Sequence, residues 1–208
     1  MMESSRTTSA ALLLLILCLL IPAPLSAGGP MDQIREAVEK PIAIIQDPEL
    51  KTEQKREERI NRLRNAIYPR FDFAEMAKRA LGFQWRRLTS SQRKEFINIF
   101  TDLLEQSYIR YIDSYNEEKF IFLREKLDGR YAEVRTQILT SKGEEFSVNY
   151  KTHLVNGEWK IYDIVAENIS MVNNYRSQFK RVLSKSSYED LVSRINKKRS
   201  ELLNNNKK

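Results

Sequence analysis

Few side chains in this sequence could carry out acid–base, nucleophilic or metal chemistry. The 208 residues include one histidine, His153, and one cysteine, Cys18. Zinc sites use three or four histidine, cysteine or carboxylate ligands, so a multi-histidine zinc site is excluded. The six glycines form no glycine-rich phosphate-binding loop. The sequence therefore predicts neither a metal site nor a cofactor. His153, on the polar side of its predicted strand, is interpreted as a surface residue.

Asp163 is the one acidic residue whose position invites a catalytic interpretation. The strand predicted to begin at Trp159 turns Asp163 toward the apolar face of a sheet, where an isolated carboxylate would be costly. It could act there as a general base in a cavity. Alternatively, it accepts hydrogen bonds from Tyr150 or pairs with Arg176 on the following helix. We favour the structural pair, since an arginine partner is a sufficient reason for the carboxylate, and we predict no catalytic residue and no enzyme.

The N-terminus has the features of a signal peptide. Residues 10–21 are almost wholly apolar, too few to cross a bilayer comfortably, and two prolines follow them. Small residues before Gly28 predict cleavage there, which removes residues 1–27 and exports the mature protein. Cys18 lacks the small preceding residue of a lipoprotein processing site, so we expect no lipidation. Signal peptides normally have a positively charged segment before the apolar run, but here that segment holds one arginine and one glutamate. An uncleaved N-terminal anchor therefore remains the alternative.

The mature chain has the length of one domain. We predict a single domain over residues 28–203 and a disordered tail over residues 204–208. The net charge of +7 is unchanged by loss of the signal peptide. A solvated basic surface is the simplest interpretation of this charge, and anionic lipid or an acidic protein is the most plausible specific partner. Nucleic acid is not expected as a partner of an exported protein.

Helical periodicity dominates the first half of the chain. Apolar residues recur at helical spacing over Met31–Gln46 and Thr52–Tyr68, and Asp72 begins a short helix with a capping box. A second capping box at Thr89 begins a long helix, whose apolar residues recur over more than five turns. Two further helices are predicted at the end of the chain, the last one capped by Ser187.

The middle of the chain has strand patterns. Strands are predicted at Lys119–Arg124, Tyr131–Leu139, Glu145–Leu154 and from Trp159 onward, and Asn156-Gly157 is a strong two-residue hairpin signal. The fold class is therefore α+β, with helices wrapped around a curved, about four-stranded antiparallel sheet.

The hairpin fixes a register that gathers apolar side chains on one sheet face. It pairs Leu154 with Trp159 and Thr152 with Ile161. Continued without interruption, it also pairs Tyr150 with Asp163 and Val148 with Val165. Together with the long helix, this face is predicted to line an apolar binding cavity, through Val134, Ile138, Phe146, Val148, Tyr150, Leu154, Trp159, Ile161, Val165, Leu104 and Tyr108. A solid core in a purely structural adaptor is the alternative.

Two stretches of the sequence carry a family resemblance. The first contains Phe71-Asp72-Phe73, Met76-Ala77, Ala80-Leu81-Gly82, Trp85-Arg86, Thr89, Gln92, Glu95-Phe96, Phe100, Leu103-Leu104 and Tyr108. The second runs from Trp159-Lys160-Ile161-Tyr162-Asp163 through Ile169-Ser170 to Asn174-Tyr175-Arg176-Ser177-Gln178-Phe179. In residue type and spacing these stretches resemble the MlaC or toluene-tolerance family, auxiliary components of ABC transporters, over about residues 30–200.

The resemblance implies a periplasmic phospholipid carrier of the Mla lipid-asymmetry system. It implies a nuclear-transport-factor-like fold that encloses lipid tails and leaves the head group near solvent. The implied partners are an inner-membrane ABC transporter complex with an MCE ring and an outer-membrane lipoprotein–porin complex. We expect the protein itself to be a monomer. A carrier of another lipid, such as a hopanoid, and a small enzyme on a similar scaffold remain the alternatives.

Overall fold

The structure, a computed structural model, describes residues 28–113, 115 and 118–206. The predicted signal peptide, residues 1–27, lies outside the described residues. Within the described part, the chain forms six α-helices and five β-strands. In chain order these are α1 Pro30–Gln46, α2 Arg56–Ile67, α3 Phe73–Leu81, α4 Ser90–Asp113, β1 Lys119–Asp128, β2 Tyr131–Leu139, β3 Glu145–Val155, β4 Glu158–Ala166, β5 Ile169–Ser170, α5 Met171–Leu183 and α6 Tyr188–Asn206.

The strands form one antiparallel sheet in chain order, β1-β2-β3-β4-β5. The predicted α+β class is confirmed, and the two-residue strand β5 extends the four predicted strands to five. The hairpin between β3 and β4 turns at Asn156 and Gly157, whose φ angles are 51° and 84°. Positive φ at both residues is the requirement of a type I′ turn, which the Asn-Gly pair meets.

The predicted register holds for the first half of β4 and is wrong for the second half. Leu154 pairs with Trp159 and Thr152 with Ile161, as expected. A β-bulge then interrupts the ladder, so that Tyr150 faces Ile164 and Val148 faces Ala166. A bulge inserts one extra residue in one strand, and every later side chain on that strand changes face. Asp163 and Val165 are therefore not opposite the residues predicted for them.

Helix α1 covers the inner face of the sheet. Its Ile34 and Val38 are buried with Val134, Tyr150 and Ile161 from three strands, a group that we call the sheet cluster. The helix is also tied to β4 through the buried side chain of Gln33, whose Oε1 accepts a hydrogen bond of 2.8 Å from the backbone N–H of Trp159. The sheet face predicted to line a cavity is thus covered mainly by protein.

Helices α3 to α6 form a second core beside the sheet. We call this group the helical cluster; its buried residues include Met76, Phe96, Phe100, Leu104 and Phe179. The rings of Phe96 and Phe100 lie 5.8 Å apart, and Phe179 approaches each ring edge-on at 5.7 and 5.6 Å. Aromatic pairs favour such separations and edge-to-face angles. The described part of the molecule therefore has two apolar cores that meet at Phe71.

The ends of several helices match the local sequence signals. Asp72 accepts a hydrogen bond of 2.8 Å from the N–H of Glu75 at the start of α3, and Thr89 and Gln92 form the predicted capping box of α4. Helix α6 extends to Asn206, so the tail predicted to be disordered from residue 204 is helical over its first three residues, and residues 207–208 lie outside the described part. No helix among the described residues combines the length and apolar character needed to cross a bilayer.

Candidate ligand-binding cavity

An apolar cavity of about 110 Å³ lies between helices α2, α3 and α4 and strand β4. Nearly all of its surface is carbon. It is lined by Ile67, Phe71, Phe73, Met76, Thr101, Leu104, Tyr108, Ile109, Ile112, Ile164 and Met171, together with Arg64, Tyr68 and Glu105. Its walls can therefore hold apolar groups, and the only charged side chains among its described lining residues are Arg64 and Glu105.

The cavity lies along the seam between the two cores. Phe71 packs against both the helical cluster and the sheet cluster. Its position is fixed by the backbone: Phe71 makes a parallel bridge to Ile161, and the N–H of Asp72 donates to the Ile161 carbonyl at 2.9 Å. The Phe71 ring stacks on Phe73 at 5.6 Å. The short segment between α2 and α3 thus forms one wall of the cavity because it is pinned to β4.

Two of the predicted cavity residues lie where the sequence placed them. Leu104 and Tyr108 on α4 both line the cavity. They are one helical turn apart on the apolar stripe of α4, so both face the same side. Leu104 is buried and Tyr108 is half-buried.

The nine predicted strand residues, all in the described part of the chain, do not line this cavity. Val134, Tyr150 and Ile161 belong to the sheet cluster, and Val148 packs against it. The remaining five lie elsewhere on the sheet: Trp159 is buried, Ile138, Leu154 and Val165 are half-buried, and Phe146 is exposed. Helix α1 covers the sheet face on which these residues were expected to be free.

The strand residue that does line the cavity is Ile164, which the unbroken register had placed on the other face. No local sequence pattern marks the bulge that turns Ile164 inward. Phe71, Phe73 and Met76 were quoted for the family resemblance and were not assigned to the cavity. Their spacing at the start of α3, together with the periodic apolar stripe of α4, is the sequence signal that could have assigned them to the cavity.

Asp163 does not make either of the predicted contacts. It is 4% exposed, and both carboxylate oxygens are engaged at the start of α5. Oδ2 accepts from the Ser170 hydroxyl at 2.6 Å, and Oδ1 accepts from the Val172 N–H at 3.0 Å. Arg176 is exposed, and its guanidinium lies against Gly82. The predicted Asp163–Arg176 pair is replaced by a helix cap, in which a carboxylate meets free backbone donors and the positive end of the helix dipole.

His153 is half-buried, and its Nε2 lies 2.9 Å from an Asp72 carboxylate oxygen. This contact joins β3 to the N-terminus of α3. Among the described residues, no group of three or more histidine, cysteine, aspartate or glutamate side chains is placed to hold a metal ion.

An ion pair between a partly exposed arginine and a buried carboxylate forms the polar edge of the cavity. The Arg64 guanidinium donates from Nε to both oxygens of Glu105, at 2.9 and 3.0 Å, and the Tyr68 hydroxyl donates to the same carboxylate. The Glu105 side chain is only 9% exposed. Burial opposes its ionisation, but the hydrogen bonds from Arg64 and Tyr68 outweigh burial and lower the pKa of Glu105. Burial and the hydrogen bond to Glu105 raise the pKa of Tyr68.

A second, polar pocket of about 600 Å³ adjoins the apolar cavity. The two spaces share Arg64, Tyr68 and Glu105. The polar pocket is otherwise lined by Asp102, Gln106, Asn196, Arg199, Ser200 and Leu203, from helices α4 and α6. An apolar space beside a charged one suits an amphipathic ligand with a carbon tail and a polar head.

The family model for the MlaC protein matches residues 35–197, most of the chain. The chain belongs to the MlaC family. This confirms the resemblance drawn from the two sequence stretches.

Individual MlaC-family relatives agree with this assignment. The chain is 24% identical over 178 residues to the intermembrane phospholipid transport system binding protein MlaC of Haemophilus influenzae, and the match covers 83% of each chain. It is 27% identical over 95 residues to toluene tolerance protein ttg2D of Pseudomonas putida, covering 45% of this chain and 44% of that protein.

A solved structure shows that the fold is also shared. The phospholipid-binding protein of Ralstonia solanacearum, solved in complex with a phospholipid, superposes with a TM-score of 0.75 at 24% identity. The superposition covers 85% of this chain and 99% of that one. Helices packed against an open antiparallel sheet are therefore the architecture of both proteins.

Proposed function

We propose that this MlaC-family protein is a periplasmic phospholipid carrier that shuttles lipid between outer- and inner-membrane complexes. The observation that carries the proposal is the apolar cavity at the seam, which shares three lining residues with a charged pocket. The names of the relatives support it: one is a binding protein of an intermembrane phospholipid transport system, and another was solved with a phospholipid.

The energetics of acyl chains require enclosure by a carrier. Two chains contain about 30 methylenes, and each contributes about 0.8 kcal/mol on leaving water, so roughly 20 kcal/mol separates a solvated phospholipid from a buried one. A shallow groove would recover only part of this free energy. Once both chains are enclosed, transfer between a membrane and the protein is nearly neutral, and the partner complexes can set its direction.

The cavity has to widen to accept these chains. Its volume of about 110 Å³ is below the roughly 300–1,000 Å³ of pockets that bury small organic ligands. The seam between the helical cluster and the sheet cluster is where it can widen, because separating the two cores does not break either of them. We therefore infer that lipid entry moves α2 and its following turn away from α4.

A carrier needs no catalytic group. Both oxygens of Asp163 are engaged in capping α5, which leaves the enzyme alternative without its proposed base. Export through the predicted signal peptide places the protein in the periplasm, and the net charge of +7 favours approach to anionic membrane surfaces. The MCE-ring transporter and the lipoprotein–porin complex are the proposed partners of a monomeric carrier.

Native mass spectrometry of residues 28–208, exported to the periplasm, tests the proposal. We expect the protein to carry adducts of phospholipid mass. Ile112→Glu places a carboxylate in the cavity wall and should reduce lipid retention by at least about tenfold, since an unpaired charge is costly beside apolar chains. Ile97→Glu is the control, because Ile97 is also half-buried on α4 but packs against the helical cluster away from the cavity.

The outcomes separate the alternatives. A bound lipid of hopanoid mass would replace the phospholipid assignment. A protein without any adduct, both as purified and after incubation with phospholipid vesicles, would favour the adaptor with a solid core. Equal loss of lipid from both glutamate variants would mean that the cavity described here is not where the tails bind.

A further inference from the structure

The polar pocket beside the cavity contains an arginine with an unused donor. In the Arg199 guanidinium, Nη1 donates to the Asn196 side-chain oxygen at 2.8 Å and Nη2 pairs with Asp102. Its Nε is buried and has no hydrogen-bond partner among the described residues. A buried charged donor without an acceptor is costly, and proteins rarely leave one unmatched. The wall of a pocket that could hold a ligand therefore contains a buried N–H group of Arg199 that no acceptor satisfies.

A second arginine faces the same pocket from the cavity side. Arg64 lines both spaces and is 39% exposed, while its partner Glu105 is 9% exposed. Glu105 also accepts a hydrogen bond from Tyr68, so it keeps one strong donor if Arg64 turns away. Arg64 can therefore exchange its carboxylate partner for another anion without leaving Glu105 unpaired.

We propose that this polar pocket is the subsite for the phosphodiester of the lipid head group, with Arg199 and Arg64 as its donors. The inference rests on the proposed function, since the phosphate is placed by acyl chains that occupy the adjoining cavity. The guanidinium fork of arginine matches two oxygens of a phosphate, and hydrogen bonds between charged groups are about twice as strong as neutral ones. The Nε–H of Arg199 supplies the first contact when the side chain turns toward the pocket, and Arg64 supplies the second by releasing Glu105.

The charge balance of the pocket favours a tethered phosphate over a free one. Arg64 and Arg199 are offset by Glu105 and Asp102, so the pocket has no net charge with which to attract a free anion. A phosphodiester held by its own acyl chains reaches the pocket at high effective concentration. It can compete with the internal ion pairs, whereas inorganic phosphate in solution lacks this advantage.

The test compares two ligands with identical acyl chains, one with and one without the phosphodiester. Dioleoylphosphatidylethanolamine and dioleoylglycerol are offered together from detergent micelles, and native mass spectrometry gives the ratio in which they are retained. The protein is expected to favour the phospholipid. Arg199→Ala and Arg64→Ala should each lower the ratio by at least about tenfold. Arg199→Lys keeps a positive charge near Asp102 but loses the Nε–H, so it should lower the ratio as well.

Matched controls come from the same two helices. Arg62 on α2 and Lys198 on α6 also form ion pairs, with Glu58 and Glu201, but they line neither space. Their alanine variants should leave the retention ratio unchanged. The lysine variant keeps the test valid if removal of Arg199 impairs folding.

The results distinguish failure of the subsite from failure of the carrier function. If the protein retains both lipids and the arginine variants do not change the ratio, the head-group subsite is overturned and the carrier function stands. If neither lipid is retained by the unmodified protein, the carrier function and this inference both fail. If excess inorganic phosphate lowers phospholipid retention as much as Arg199→Ala does, the pocket is a free-phosphate site and the inference is overturned.

Discussion

The Asp163 carboxylate holds the start of helix α5 against strand β4, and its removal should destabilise the protein. It accepts the Val172 N–H at 3.0 Å and the Ser170 hydroxyl at 2.6 Å, while the Ser170 oxygen in turn accepts the Asn173 N–H at 3.0 Å. Asp163→Ala would leave two donors without acceptors at a helix end that is largely shielded from water.

The size of the effect follows from these contacts. A buried donor that loses its acceptor costs about 1–3 kcal/mol, and loss of a negative charge at a helix N-terminus adds about 0.3–1 kcal/mol. Ser170 is half-buried and can turn its hydroxyl toward water, which lowers its share. We therefore expect Asp163→Ala to reduce the free energy of unfolding by about 3 kcal/mol. Asp163→Asn keeps an oxygen for Val172 but cannot accept the Ser170 hydroxyl, so about 1.5 kcal/mol should be lost.

Urea denaturation followed by tryptophan fluorescence measures this loss. With a typical slope of about 2 kcal/mol per molar urea, the midpoint for Asp163→Ala should fall by about 1.5 M. Asp190 provides the control, because its carboxylate accepts the Ser187 N–H at 3.3 Å at the exposed start of α6. Asp190→Ala should cost about 0.5 kcal/mol. A midpoint for Asp163→Ala no lower than that for Asp190→Ala would refute the assignment of Asp163 as a buried cap.

Two further predictions concern the polar edge of the cavity and the turn after α3. Because the pKa of Glu105 is lowered in the folded protein, its contribution to stability is complete above its unfolded pKa of about 4.3 and is lost as the pH falls through the folded pKa. Glu105→Gln should therefore cost about 2 kcal/mol at pH 7 and little below the folded pKa, and urea midpoints that fall in parallel with pH in both proteins would contradict this. Gly82 has φ 57° and ψ −124°, a conformation that L-residues avoid, so Gly82→Ala should raise the free energy of the folded state by about 2 kcal/mol. Adding Arg176→Ala should not restore the melting temperature, because the cost lies in the backbone and not in the flexible guanidinium nearby.

Local signals in the sequence were sufficient to predict most of the helices and strands. Asp72 and Thr89 predicted helix starts because a side-chain oxygen beside free N–H groups caps a helix wherever it occurs. Asn156-Gly157 predicted the hairpin because few residue pairs tolerate positive φ at two successive positions. Such signals depend on neighbours in the sequence, so one sequence is enough to interpret them.

The site depended on contacts that local patterns do not encode. The bulge in β4 has no sequence signature of its own, yet it moved Ile164 into the cavity wall and Val165 out of the predicted face. Tertiary packing decides that α1 covers the sheet. The apolar face of α1 and that of the other helices could each have covered the strands. Leu104 and Tyr108 do line the cavity, because the apolar stripe of α4 is long enough to have only one buried side.

The division of the molecule into two cores explains how one small protein can be stable and still admit a large ligand. A single close-packed core would have to lose dispersion contacts throughout to make room for acyl chains, since protein interiors hold few voids. In this chain the aromatic packing of Phe96, Phe100 and Phe179 and the contact of α1 with the sheet lie on opposite sides of the seam. Widening the seam exposes mainly the side chains that line the cavity, and the acyl chains then cover these same side chains. The free energy needed to open the protein is thus offset by the ligand that opens it, which is the balance a reversible carrier requires.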